Sequence, residues 1–192
     1  DSPETIPEKI QEKLKTVGLW DVNPLNLFRI TWKNEAKESG GLFQEVPNYV
    51  EIPSELSGVP CRILAMAGKW FPTGCHKVGA SFGCLAPRLV TGQFDATYHH
   101  AVWPSTGNYC RGGAFNSKLL AVDSVAILPA EMSKERFDWL SKIAGQVIAT
   151  PGCESNVKEI FDKTWELKQD PSMMIFNQFE DCLLYTSDAA DE

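Results

Sequence analysis

The chain has 192 residues, 43% of them hydrophobic, six Trp and a formal net charge of −7. This excludes a disordered or low-complexity chain and describes a globular one, with one domain or a little more. The acidic balance, with Lys and Arg scattered, argues against a nucleic-acid partner. Apolar runs such as 122–128 fall well short of the roughly 18 residues a membrane helix needs.

In chain order, Pro7 to Thr16 reads as a polar helix with Pro7 in its first turn and Thr5 or Ile6 at its edge. Leu27 to Trp32, rich in β-branched and aromatic residues, reads as a strand. A polar loop from Lys33 closes at Gly40-Gly41, and Tyr49–Ile52 is extended between Pro47 and Pro53. Arg62–Met66 is a short apolar run, and a helix opens at Cys75-His76-Lys77 and runs toward Val90, interrupted or ended near Pro87.

His99–Trp103 reads as a strand, Pro104–Asn108 as a tight loop, and a helix follows to about Leu120. Val122–Leu128 is a buried strand, and Ser133 caps a helix with Phe137, Leu140, Ile143 and Ala144 on one face. Gln146–Ala149 and Ser172–Phe176 are further strands. Between them Ser155 caps a helix whose stripe is Val157, Ile160, Phe161, Thr164 and Trp165. Strands alternating with helices predict an α/β fold with a parallel sheet covered on both faces. Ligands bind such sheets at the carboxyl ends of the strands, where the loop 104–108 lies.

The six cysteines show no C-x-x-C spacing, so free thiols in a reducing cytoplasm are expected rather than a disulfide framework. His99 and His100 are adjacent on a strand and point to opposite faces, so no metal site is expected from them. The sequence begins at Asp1 rather than Met, so its true N-terminus is expected to lie upstream, and a targeting segment there would be hidden.

Two segments carry chemistry. In Thr73-Gly-Cys-His-Lys-Val-Gly-Ala-Ser81 a lysine opens a helix, where the dipole disfavours a cation. That position lowers an amine's pKa and invites an anion, which suits a lysine that attacks an aldehyde beside a phosphate. In Pro104-Ser-Thr-Gly-Asn-Tyr-Cys-Arg-Gly-Gly-Ala114, successive N–H groups and two hydroxyls at a helix start form a pocket for a carboxylate. Asn108 adds an amide donor and acceptor.

Together, His-Lys-x-Gly-Ala at 76–80 and Pro-Ser-Thr-Gly-Asn at 104–108 resemble the fold-type II pyridoxal-phosphate enzymes. These include cysteine synthase, threonine synthase and the tryptophan synthase β chain. The His76-Lys77 pair is similar to the tryptophan synthase β-like branch, and 104–108 to the cysteine synthase substrate loop. The resemblance covers about residues 60–181 and implies a three-layer parallel-sheet fold of the tryptophan synthase β-like type, C-terminally truncated. It implies pyridoxal 5′-phosphate as cofactor, with Lys77 as Schiff-base lysine and later the acid/base for the α-proton. Asn108 would bond the cofactor's ring oxygen, and His76 would lie near its phosphate. Ser105, Thr106, Gly107 and Asn108 would hold the substrate carboxylate.

The implied activity is β-elimination or β-replacement on a small amino acid, by a homodimeric lyase or transferase. A γ-elimination like threonine synthase's is the alternative within the family, and a non-catalytic α/β ligand-binding module the alternative outside it. The latter predicts a G-x-G-x-x-G after the first strand, which is missing.

Departures from the family pattern are a missing Gly-rich phosphate loop and a missing Ser or Cys for the pyridine nitrogen. Tyr109 stands where cysteine synthases usually have Thr, which puts one carboxylate donor in doubt. Residues 182–192 resemble a translated adapter from sequencing-library preparation. The organisation expected is therefore an N-terminal extension at 1–60, a partial catalytic domain at 61–181 and a non-native tail at 182–192, the piece itself being inactive.

Overall fold

The computed structural model describes residues 7–36, 43, 44, 46–178 and 180. Thr5, Ile6, the Gly40-Gly41 pair and the segment 182–192 lie outside the described residues. The chain divides into two compact units, Asp1–His76 and Lys77–Glu192.

The first unit opens with α1 (Glu8–Leu14), preceded by Pro7, whose carbonyl accepts from the Ile10 and Gln11 amides. The expected strand at Leu27–Trp32 is absent. Asn23 instead accepts from the Leu25 amide, Pro24 sets the first φ, and Pro24–Arg29 form a 3₁₀ helix. Arg29 explains why turn geometry wins over β propensity. Its guanidinium, 1% exposed, donates to the carbonyls of Leu14 (2.7 Å) and Val17 (2.5 Å) and to Asn26 Oδ1 (3.2 Å). A cation thus closes the C-terminal end of α1, where orphan carbonyls and the dipole favour it.

Further along the first unit, β1 (Tyr49–Ile52) pairs antiparallel with β2 (Ile63–Met66), Tyr49 opposite Met66 and Ile52 opposite Ile63. Between them α2 (Ser54–Ser57) ends on Gly58 in the left-handed region, φ +70°. This hairpin bridges residue 60, and the unit that contains it continues to His76.

The second unit begins with α3 (Lys77–Val90). Its buried positions, Val78, Ser81, Cys84 and Leu85, fall on one helical face. The helix continues through Pro87, because a proline so near its end forfeits one backbone bond and leaves only three residues beyond. Then follow β3 (His100–Pro104), α4 (Asn108–Leu119), β4 (Ser124–Pro129), α5 (Lys134–Ile143), β5 (Gln146–Thr150), α6 (Val157–Leu167) and β6 (Met173–Ile175).

The four strands form one parallel sheet in the order β5-β4-β3-β6. From β3 to β4 to β5 the chain steps one way; β6 returns to the far side of β3. Right-handed crossovers then require α4 and α5 on one face and α6 on the other. The packing agrees. Val102, Val125 and Ile127 point toward Ile160 of α6, while Trp103 points the opposite way, toward Gly113 of α4. Beside α4, the Phe115 ring stacks on Trp139 of α5 at 6.3 Å. The result is the expected three-layer α/β fold.

Two details of capping differ from expectation. Ser133 precedes α5 but its hydroxyl makes no cap bond. The residue before α6 is Asn156 rather than Ser155, and Asn156 Oδ1 turns back to accept from the Cys153 amide at 2.9 Å. Trp165, read as part of the buried stripe of α6, is 55% exposed, with the Lys168 ammonium over its ring. No helix among the described residues is long and apolar enough to cross a membrane.

Candidate active site

The second unit holds a cavity of about 150 Å³. Lys77, Ser105, Thr106, Gly107, Asn108, Tyr109, Arg136, Glu154 and Gln178 line it. Ser105–Tyr109 follow β3, Glu154 follows β5 and Gln178 follows β6, so the cavity sits at the carboxyl ends of the parallel strands. Five of the six residues singled out in the sequence therefore share one lining. The sixth, His76, closes the first unit, where its ring stacks on Trp32 at 5.3 Å.

Lys77 is 7% exposed, an unusual degree of burial for a lysine. Its backbone is fixed from two sides. Ser81 Oγ donates to the Lys77 carbonyl at 3.0 Å, and Asn116 of α4 donates to the Val78 carbonyl at 2.6 Å and to Ser81 Oγ at 2.8 Å. Gly112, one turn before Asn116, lets α4 come close at this level. A Cβ there would stand 2.8 Å from the Val78 nitrogen. What Gly112 lets α4 approach is the backbone of the lysine.

The turn is built by its own side chains. Ser105 is buried, and its Oγ accepts from the Gly107 amide at 3.0 Å. The Gly107 carbonyl accepts from the Arg111 amide at 3.1 Å, which starts α4, and from Cys110 Sγ at 3.0 Å. Burial pushes the Cys110 thiol up to about 12, so it stays protonated. The Gly107 N–H is thus engaged by Ser105, while the Ser105 and Thr106 hydroxyls lie in the cavity lining at the start of α4.

Asn108 is exposed at the mouth, and Arg111 donates to its Oδ1, which leaves the amide NH₂ as a donor. Tyr109, the residue at which the family pattern breaks, is buried with its ring edge-on to Trp103 at 5.4 Å.

Arg136, Glu154 and Gln178 were not found from the sequence. Arg136 lies in the first turn of α5, and its Nη1 donates to the Thr106 carbonyl at 3.2 Å. Its guanidinium occupies the space a side chain at position 107 would need, 2.9 Å from an ideal Cβ to Cζ. For Glu154 and Gln178 the available signal was their position beyond predicted strands; nothing in the local sequence marks Arg136.

The chain is α/β in fold, with a cavity at the carboxyl ends of its parallel strands. Among solved structures, it shares this fold with a hydrogen sulfide-producing enzyme from Fusobacterium nucleatum (TM-score 0.57, 21% identity, covering 71% of this chain and 44% of that one). It is also similar to an O-acetylserine-dependent cystathionine β-synthase from Helicobacter pylori (TM-score 0.59, 20% identity, 70% and 44%). A third is a hydrogen sulfide-producing enzyme complexed with an α-aminoacrylate intermediate (TM-score 0.56, 20% identity, 64% and 37%). The chain thus spans less than half the length of each. No family model and no curated protein sequence matches it.

Proposed function

We propose that this chain carries part of the active site of a pyridoxal-phosphate-dependent lyase or transferase, acting on an amino acid by β-elimination or β-replacement. The observation that supports this reading is the burial of Lys77 in the same cavity as the turn 105–108. The residues present fit the cofactor: one shielded amine, and an Asn amide with a donor to spare lining the same cavity. The fold shared with two hydrogen sulfide-producing enzymes and a cystathionine β-synthase fits it too.

When bound, the cofactor supplies an electron sink that makes the substrate's α C–H acidic. The protein's own contribution is placement. Lys77 would hold the cofactor through its Nζ and would serve as the base for the substrate's α-proton. The Ser105 and Thr106 hydroxyls and the N-terminal amides of α4 take the carboxylate, which fixes the substrate's rotation. The Asn108 amide would donate to the cofactor's ring oxygen.

The test is chemical trapping. The chain is mixed with pyridoxal phosphate, reduced with borohydride and mapped by peptide mass spectrometry. Label should concentrate on Lys77, and Lys77→Ala should lose the visible absorbance band. A band of equal strength in the Ala variant, or label spread over surface lysines with Lys77 bare, would overturn the reading.

A further inference from the structure

We infer that Arg136 is the anion-reading residue of the cavity and that the ligand there presents a carboxylate to its guanidinium. The inference adds to the proposed function, on which it rests only for calling that anion the carboxylate of an amino acid.

Three observations carry it. First, the guanidinium is half-buried and among the described residues makes one hydrogen bond, from Nη1 to the Thr106 carbonyl. Its Nε is buried without a partner, and among the described residues no carboxylate lies within ion-pair distance of it. A shielded cation with unused donors is costly until an anion completes it.

Second, the lining is electropositive. Among the described residues of the lining, Lys77 and Arg136 face one carboxylate, the exposed Glu154, and the N-terminal end of α4 opens onto the same space. Third, the turn's geometry is adapted to the arginine. Gly107 leaves room that Arg136 fills, with Nη1 2.5 Å from where a Cβ would be. Meanwhile the Gly107 amide, one of the donors expected to hold a carboxylate, is bonded to Ser105. The guanidinium presents the charged, planar donor set that the turn alone lacks, and such a fork suits a carboxylate better than an ammonium would.

Acetate is a sufficient probe, with acetamide as its neutral isostere, followed in the ¹H–¹⁵N spectrum of the chain. Acetate should shift the Arg136 Nε–H and the amides of Asn108 and Tyr109 saturably, and acetamide should not. Arg136→Met should weaken acetate binding by roughly tenfold or more, the loss expected of a charge-assisted hydrogen bond. The native-chain comparison stands even if the Met variant misfolds.

No acetate response at these groups, an equal response to acetamide, or unchanged affinity in a folded Met variant would overturn the inference. Borohydride labelling of Lys77 on the same samples separates the two proposals. Label without an acetate response sinks this one alone, and an acetate response without label sinks only the cofactor reading.

Discussion

Gly112 lies directly against the main chain of Lys77: a Cβ at 112 would stand 2.9 Å from both the carbonyl carbon and the carbonyl oxygen of the lysine. Contacts that short force one backbone away from the other. Gly112→Ala should therefore move the start of α3 by a few tenths of an ångström and cost about 1–3 kcal/mol of stability. Urea unfolding measures the cost. Borohydride trapping of pyridoxal phosphate measures the displacement, with slower labelling of Lys77 expected in variant molecules that remain folded. A labelling rate equal to the native one would mean that α4 does not set the position of the amine.

Asn116 makes a second, separable prediction at the same level of the helix pair. Its amide serves the Val78 carbonyl and the Ser81 hydroxyl from a fully buried position. Asn116→Leu fills the volume but leaves the carbonyl without that donor, at a cost of about 2 kcal/mol. The pair Asn116→Leu with Ser81→Ala should cost less than the two single changes summed, since both remove members of one network. Strict additivity in urea denaturation would count against it.

Much of the second unit was legible because helical and strand periodicities there agree with turn chemistry. Pro104 to Asn108 announces a break, and the elements on either side have the length and apolar content of buried ones. The lysine and the turn could also be read, since each is a local pattern. Arg136 could not be. Its role depends on a crossover that brings α5 beside the end of β3, information held in sheet order rather than in any short segment. The failure at Leu27–Trp32 has a different cause. β-branched and aromatic content argued for a strand, but Asn23-Pro24 and the reach of Arg29 to Leu14 and Val17 outweighed it.

That arginine supplies the third prediction. Burial pulls its pKa below the ordinary guanidinium value, while nearby Asp21 opposes the shift, and its hydrogen bonds compensate the desolvation. Arg29→Met keeps the aliphatic bulk and removes three hydrogen bonds, leaving the Leu14 and Val17 carbonyls without that donor. A loss of about 3 kcal/mol is expected from the first unit's stability. Hydrogen exchange can check it, since amides of α1 should lose protection while those of the sheet in the second unit keep theirs.

The cysteines make a fourth. Cys153 is exposed, and a hydrogen bond with the Ser155 hydroxyl at 3.1 Å holds its thiol below the usual range. A lowered pKa means more thiolate at any pH below the ordinary value, so alkylation of Cys153 by iodoacetamide should reach its plateau at lower pH than a model thiol. Ser155→Ala should move that profile upward. Cys110, protonated and enclosed, should stay unmodified until the chain unfolds. Labelling of Cys110 at neutral pH in the folded protein would contradict the enclosed turn.

The reversal of strand order has a consequence for the birth of the molecule. Because β6 docks on the free edge of β3, the first of the four described strands waits for the fourth. On the ribosome, β3, β4 and β5 can assemble with α4 and α5 while α6 is still unmade, but one edge of β3 and the Val102 face then stand open to other chains. Shielding of nascent chains by a holdase, rather than the final stability of the fold, would then govern how much of the protein is recovered.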